Sequence, residues 1–408
     1  MKPLFAAALV LALLALAAAC KAAEEAPPGE TPTPTLSPAP MAATPTPEAL
    51  IESKIIFVRG LEETHPIEGI LWMSDLDGGD QERLTPENES AVFVGLLPDG
   101  KSGRLALYYA TLDGESGQTL WKLNLSTGVR TEVLNYESNR YRGRGASVSP
   151  DGRYVAYVSD RDLGMLDTRS GQTRRLLTAG DGQACSSGDL SECVSYNAPD
   201  WSPDGRLLLV IKGFYEGASA TVVDPFSDPP LELIETNLGD TLPGSANWSP
   251  SGSSICAWGQ YANYTSLYLA SAPDWVYRSV IPEYEDQALN NRARMLLDCE
   301  WLDESTVVFV NVQQIPSELG ELLTLDITTE SINEVVVFED EYRCCTGSLS
   351  VARVEKLAIA QFIVLTEDRR DFRWSRPLLV RLGSAAVRPI LVESDYVVAV
   401  VQPLSPTP

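Results

Sequence analysis

The stretch Trp201-Ser202-Pro203-Asp204-Gly205-Arg206-Leu207-Leu208-Leu209-Val210-Ile211 decides how the chain is read. Residues Ser202 to Gly205 fit a type I turn: serine opens it, proline follows with φ already near its turn value, and glycine closes it. The apolar run Leu207 to Ile211 then leaves the turn as a buried strand. Related turns stand at Val148-Ser149-Pro150-Asp151-Gly152 and Trp248-Ser249-Pro250-Ser251-Gly252, with worn copies at Leu97-Pro98-Asp99-Gly100 and Trp301-Leu302-Asp303-Glu304. Spacings from Pro98 to Pro150, Pro203, Pro250 and Leu302 are 52, 53, 47 and 52 residues. A period of roughly 50 residues belongs to an array of similar units, not to one irregular core.

Working outward, each unit predicts four strands. The second strand recurs at Ile55–Gly60, Arg104–Ala110, Tyr154–Asp160, Leu207–Gly213, Ser254–Gln260, Thr306–Val312 and Lys356–Leu365. A third follows, as at Leu71–Asp75 and Leu322–Asp326, and then a short fourth, as at Arg130–Asn135 and Ile332–Phe338. The first unit has no strand before Ile55, whereas Tyr396–Gln402 is a strand with no successor. The expected fold is all-β: a seven-bladed β-propeller of four-stranded antiparallel blades over residues 54–402. The C-terminal strand completes the first blade and removes the open edges that invite aggregation. Residues 403–408 are read as a tail.

The SPDG turns followed by apolar strands, together with Trp72-Met73-Ser74-Asp75-Leu76-Asp77-Gly78-Gly79 through Arg83-Leu84-Thr85, resemble the repeats of the TolB-type propeller group. Similar repeats accompany the hydrolase domain of prolyl oligopeptidase-like enzymes. The resemblance covers roughly residues 54–402 and is weakest in the sixth and seventh units. No counterpart of the TolB amino-terminal domain is read here, so the resemblance implies the propeller and not the whole TolB role.

Composition and the amino terminus place the chain. A formal charge of −25 with 44% hydrophobic residues supplies a large core and argues against a polyanion such as nucleic acid as partner. Lys2 followed by the apolar run Leu4–Ala19 has the form of an export signal over residues 1–19, and the run is shorter than the roughly 20 residues a membrane span needs. Leu16-Ala17-Ala18-Ala19-Cys20 resembles the bacterial lipobox, which implies a lipid on Cys20 and an anchored protein on the outer side of the cytoplasmic membrane. Ala17 departs from the usual leucine, and Lys21 takes the place of the aspartate of an inner-membrane retention signal. Residues 20–53, rich in Pro, Thr, Ala and Glu, lack an apolar period and read as an extended linker.

Catalytic chemistry has little material. His65 is the one histidine, no G-x-S-x-G elbow occurs, and the repeats take up the length of a hydrolase domain. The expectation is a protein that is not an enzyme, with no cofactor. Asp75, Asp77 and Asp80 superficially resemble a calcium loop, but the glycines fall early and no closing Glu follows, so a hairpin turn is expected and no metal ligands are assigned. Trp201, Trp248 and Trp301 share one repeat position, which predicts packing between blades. With Cys20 set aside, six cysteines are left: Cys185 and Cys193 bracket a polar loop and are expected to pair, and Cys256, Cys299, Cys344 and Cys345 stay unassigned.

Loop length carries the functional expectation. Six long connections, Gly60–Ile70, Asn135–Ala146, Ala179–Tyr196, Glu283–Met295, Gln313–Gly320 and Thr366–Pro377, all follow a second or a fourth strand and therefore emerge on one face. Loops on a rigid scaffold usually carry binding, and Tyr, Trp and Arg are enriched at hot spots. Tyr136, Arg140, Tyr141, Arg142 and Arg144, with Arg369, Arg370, Phe372, Arg373 and Trp374, are therefore the expected binding face. The expected protein is a monomeric cell-envelope lipoprotein that binds a protein or peptide, or another ligand. A second reading is an extracytoplasmic hydrolase or lyase working in the propeller channel, with calcium held by carboxylates. A cluster of inward-facing ionisable residues separates the two.

Overall fold

A computed structural model describes residues 53–59, 68–99, 105–113, 117–137, 145–180, 194–213, 218–234, 246–261, 264–280, 294–313, 320–338, 347–365, 372–374, 376–384, 386–391 and 395–401. All of them belong to the unit Thr46–Pro408. Among the described residues every regular element is a strand.

The repeated turn explains why the strands fall where they do. In the clearest copy the Gly205 N–H donates to the Ser202 carbonyl at 2.8 Å. Gly205 has φ of +70°, a conformation that costs glycine nothing and a side-chain-bearing residue strain. The fully buried Ser202 hydroxyl donates to Asp204 at 2.6 Å and accepts from the backbone of Arg206 and Leu207 at 3.1 and 2.9 Å. The same set recurs at Ser149, Asp151 and Gly152, where the glycine bond is 2.7 Å and the hydroxyl-to-carboxylate bond 2.6 Å. At Ser249 the aspartate is replaced by Ser251, and Glu304 of the next unit takes over as acceptor of the Ser251 hydroxyl at 2.8 Å. Each turn satisfies its own buried polar groups, as burial requires.

Four sheets have four strands each. The one that holds the quoted stretch runs in order Ser195–Trp201, Leu208–Gly213, Ala218–Asp224 and Leu231–Glu232. The others begin at Ala146–Val148, Ala246–Trp248 and Arg294–Trp301. Nearer the carboxyl end Gly347–Ala352, Leu357–Leu365, Leu378–Arg381 and Ala386–Pro389 form a further sheet, and Phe372–Trp374 adds a fifth strand by pairing with Ile363 to Leu365. An eight-stranded sheet holds the rest: Tyr396–Val401 lies beside Lys54–Arg59, and Glu68–Asp75 meets Ala91–Pro98 through two residue pairs only, Glu68 with Val92 and Gly69 with Ala91.

The core lies between successive sheets. Cys256, Leu267 and Leu269 of one sheet pack with Cys299, Trp301, Val307 and Phe309 of the next. Met165 and Ala156 likewise pack with Trp201, Leu208 and Val210. The tryptophans also hydrogen-bond across the gap: indole N–H groups of Trp201, Trp248 and Trp301 donate to the carbonyls of Ser147, Asp200 and Asn247 at 3.2, 3.2 and 3.1 Å. The expected packing between blades is what these residues do. Cys256 and Cys299, which spacing left unassigned, form a disulfide between two adjacent sheets. Closing a loop of 43 residues restricts the unfolded chain by about 4 kcal/mol in the chain-entropy account.

Candidate functional site

A cavity of about 470 Å³ opens among the first strands of the sheets. It falls within the range of ordinary ligand pockets, roughly 300–1,000 Å³. Strand alternation aims its polar groups. Each of the three tryptophans is buried between sheets, so the residue immediately before it faces the opposite way. Those residues are Asp200, Asn247 and Glu300, and all three line the cavity. Asp298 lies two residues before Glu300 on the same strand and lines it too.

Bulges refine this placement. Four of the first strands carry one extra residue, at Asn197/Asp200, at Leu296/Asp298, at Phe93/Gly95 and beside Val397 of the last strand. A bulge bends its strand and re-aims the side chains beside it. Asp200 and Asp298 each follow such a point directly, and Ala198 within one adopts φ of +46°.

Charged and apolar groups both line the wall. Asp200, Asp298 and Glu300 come from the units holding Trp201 and Trp301, with Arg353 from the following sheet. Asp298 is held in place by its neighbours, since one carboxylate oxygen accepts the Cys299 N–H and the other the Leu349 N–H, both at 2.9 Å. Arg353 spends its Nε–H on the Trp301 carbonyl at 2.9 Å. Val92, Phe93, Val397, Val398, Ala399 and Val400, from Ala91–Pro98 and the last strand, supply apolar groups. Among the described residues no group of three or more Asp, Glu, His or Cys side chains is arranged to hold a metal ion.

The residues expected at the binding face fall differently. Tyr136 is a correction: it lies in the strand Arg130–Glu137, only 5% exposed, with its hydroxyl donating to Gln118 at 2.6 Å. Burial pushes that hydroxyl well above the ordinary tyrosine range. It packs with Tyr157 and Ala146 in the core, because the fourth strand runs two residues further than its polar sequence suggested. Phe372, Arg373 and Trp374 form a short strand and not a loop, as their β-favouring aromatics allow. Arg140, Tyr141, Arg142, Arg144, Arg369, Arg370, Cys185, Cys193, Cys20 and His65 lie outside the described residues. The SDLDGGD stretch makes the expected hairpin turn, with the Gly78 N–H donating to the Asp75 carbonyl at 2.9 Å and the Gly79 N–H to the Asp77 carboxylate at 2.9 Å.

No family model matches the chain, and no curated protein matches it. Solved structures do. Oligogalacturonate lyase from Vibrio parahaemolyticus superposes with a TM-score of 0.54 at 12% identity, covering 83% of this chain and 85% of the lyase. A puromycin hydrolase gives 0.54 at 11% identity, covering 85% of this chain and 54% of the hydrolase. The fold is a β-propeller. TolB from Acinetobacter baumannii is a further neighbour at a TM-score of 0.45 and 14% identity; the match covers 69% of this chain and spans 62% of TolB. The expectation of a chain that is not an enzyme is corrected by these neighbours, because a lyase and a hydrolase share the propeller architecture. A missing triad and a single histidine excluded particular chemistries, and a propeller does not depend on them. At such identities the likeness speaks for the fold alone.

Proposed function

We propose that this protein is an extracytoplasmic, lipid-anchored propeller whose central cavity and surrounding face bind a protein or peptide of the cell envelope. The observation that carries the reading is the cavity itself, where first strands from several sheets bring Asp200, Asp298, Glu300 and Arg353 together among apolar side chains. Those strands enter from the face on which the long connections emerge; Val92, Phe93 and Tyr396 lie toward that end of the cavity, and Asp200, Glu300 and Arg353 toward the short turns at the other. The Cys256–Cys299 disulfide suits an oxidising compartment, as does an export-type amino terminus with Cys20 behind an apolar run. The scaffold in this reading has seven blades, the eight-stranded sheet counting as two, and closes through the pairing of Tyr396–Val401 with Lys54–Arg59.

The same ionisable cluster favours a second reading, a hydrolase or lyase acting in the cavity, and the two share a test. Purified lipidated protein is used to capture partners from envelope extracts, beside Asp200→Asn with Glu300→Gln and beside Arg142→Ala with Arg144→Ala. Binding predicts a stoichiometric partner lost in the variants with melting unchanged. Turnover of envelope polysaccharide or peptide by the parent, without a retained partner, supports the enzyme and overturns the binding module.

A further inference from the structure

We infer that a second groove, independent of whatever the cavity binds, receives an oxyanion, carboxylate or phosphate, on a small organic stem. It holds about 380 Å³ between the turn Asp75-Leu76-Asp77 and the sheet that contributes Leu379, Arg381 and Arg388. Register brings the two arginines to it. Leu379 pairs with Arg388 and Arg381 with Ala386, so strand alternation puts Leu379, Arg381 and Arg388 on one face. Leu379 packs there with Ile55 and Phe57, so that face looks toward the sheet of Lys54–Arg59 and Glu68–Asp75. The arginines are diagonal neighbours, roughly 7–8 Å apart along the backbone, a distance two long side chains span to meet one ligand. Among the described residues neither guanidinium has a hydrogen bond or an ion pair. Lys54, Arg59, Lys122, Arg130 and Arg153, by contrast, each hold an acid. The acids of the far wall are engaged too, Asp75 with Lys54 and Asp77 with the Gly79 N–H at 2.9 Å. Two guanidiniums therefore face one remaining carboxylate, Asp77, which they do not touch. Like charges side by side on a sheet cost stability, and a carboxylate or phosphate answers both by accepting from two planar forks. Leu76 and Val387, the latter 40% exposed, give the stem apolar surface. The far wall is seated closely: Gly78 has φ of +82°, and a Cβ on it would lie 3.2 Å from the Leu391 nitrogen.

The chain's overall charge of −25 repels anions, so an anion that binds owes its affinity to a local site and not to the general field. Both arginines are exposed and salt screens them, so the test is run at low ionic strength. Phenyl phosphate, benzoate and neutral benzyl alcohol are titrated against the full chain by ligand-observed NMR. The parent is compared with Arg381→Gln plus Arg388→Gln, and with Arg169→Gln plus Arg174→Gln, an equal charge change on exposed residues of another unit. The inference expects the groove pair to weaken the bound anion roughly tenfold and the other pair less than about twofold, with Asp77→Asn strengthening it about twofold. A preference for phenyl phosphate or for benzoate supports the inference and names the head group. Should the groove pair melt early, Asp77→Asn decides alone. Equal losses from the two pairs, anions that bind no tighter than benzyl alcohol, or an Asp77→Asn variant that binds them no better than the parent overturns the inference. None of these outcomes bears on the cavity, whose reading stays with envelope capture.

Discussion

Two junctions in this molecule solve the same problem by different means. Between the units that hold Trp201, Trp248 and Trp301, one sheet is fastened to the next by a repeated device: a buried indole fills the gap and donates to a first-strand carbonyl of the preceding unit. Where Tyr396–Val401 meets Lys54–Arg59, no tryptophan among the described residues makes that bond. There Tyr396–Val401 pairs with Lys54–Arg59, and the Arg59 guanidinium grips the fully buried Asp395 carboxylate with two bonds of 2.6 and 2.7 Å. Donating to the Asp395 carboxylate raises the Arg59 pKa further. Gln361 donates to the Asp395 carbonyl at 2.8 Å, and the Ser53 hydroxyl donates to Glu355 at 2.8 Å. Arg59 also lies over the rings of Phe57 and Trp72, at 5.1 and 4.9 Å. The comparison teaches that repeated contacts are written locally in each unit, whereas the meeting of the ends depends on residues more than 300 apart. A single buried ion pair carries much of the second junction and makes it the more fragile one.

The largest test of that contrast removes residues 395–408. The deletion leaves Lys54–Arg59 as an open edge and strips Arg59 of its partner, so most of a domain's typical stability of ~5–15 kcal/mol is expected to go, with aggregation. Soluble protein that melts like the parent breaks the contrast. Next come single changes, one at each junction. Arg59→Met leaves the Asp395 carboxylate buried without its cation and is expected to cost ~3–5 kcal/mol. Trp301→Ala removes a side chain with no exposed surface and is expected to cost a similar ~3–5 kcal/mol, whereas Trp301→Phe, which loses chiefly the indole bond, costs ~1–3 kcal/mol. Urea midpoints rank them; an Arg59→Met loss below that of Trp301→Phe shows that strand pairing alone holds the ends.

The smallest expected effect is a pH dependence within one unit. Asp99 accepts from Lys122 at 2.6 Å and from Asn124 at 2.7 Å, and these bonds, Lys122 first, hold its carboxyl below the ordinary range against the opposing effect of burial. A depressed carboxylate stabilises the fold above its unfolded pKa of ~3.9, and the contribution is lost as pH falls through the folded value. The pair is partly exposed, so Lys122→Met is expected to lose under ~1 kcal/mol at neutral pH and to flatten the acid limb of stability. An acid limb that is unchanged in Lys122→Met removes this pair from the account.

Much of the scaffold was legible because its signals are local. Proline and glycine at fixed offsets mark the turns, and apolar runs of strand length follow them, so most expected strands stand within one or two residues of the observed ones. The aspartate-rich hairpin and the packing tryptophans were legible for the same reason. The cavity was less so. Its acids are the residues beside each tryptophan, and alternation alone could have named Asp200, Asn247 and Glu300 once the tryptophan was placed in the core. Loop composition points to Tyr136 instead, a residue that lies in a strand and packs inward. The bulges have no consistent residue signature, and the Cys256–Cys299 bridge joins different units, so neither shows in a pattern confined to one repeat.

The central functional claim is that partners are met at the cavity and the face its strands enter from, and site-specific photo-crosslinking in living cells tests it directly. A photoreactive amino acid replaces Tyr396, which lines the cavity, or Val129, which is 59% exposed in the turn between a third and a fourth strand. The account predicts a discrete crosslinked species from position 396, suppressed by Asp200→Asn with Glu300→Gln, and none from position 129. Equal crosslinking from both positions, or a discrete species from position 129 alone, contradicts it.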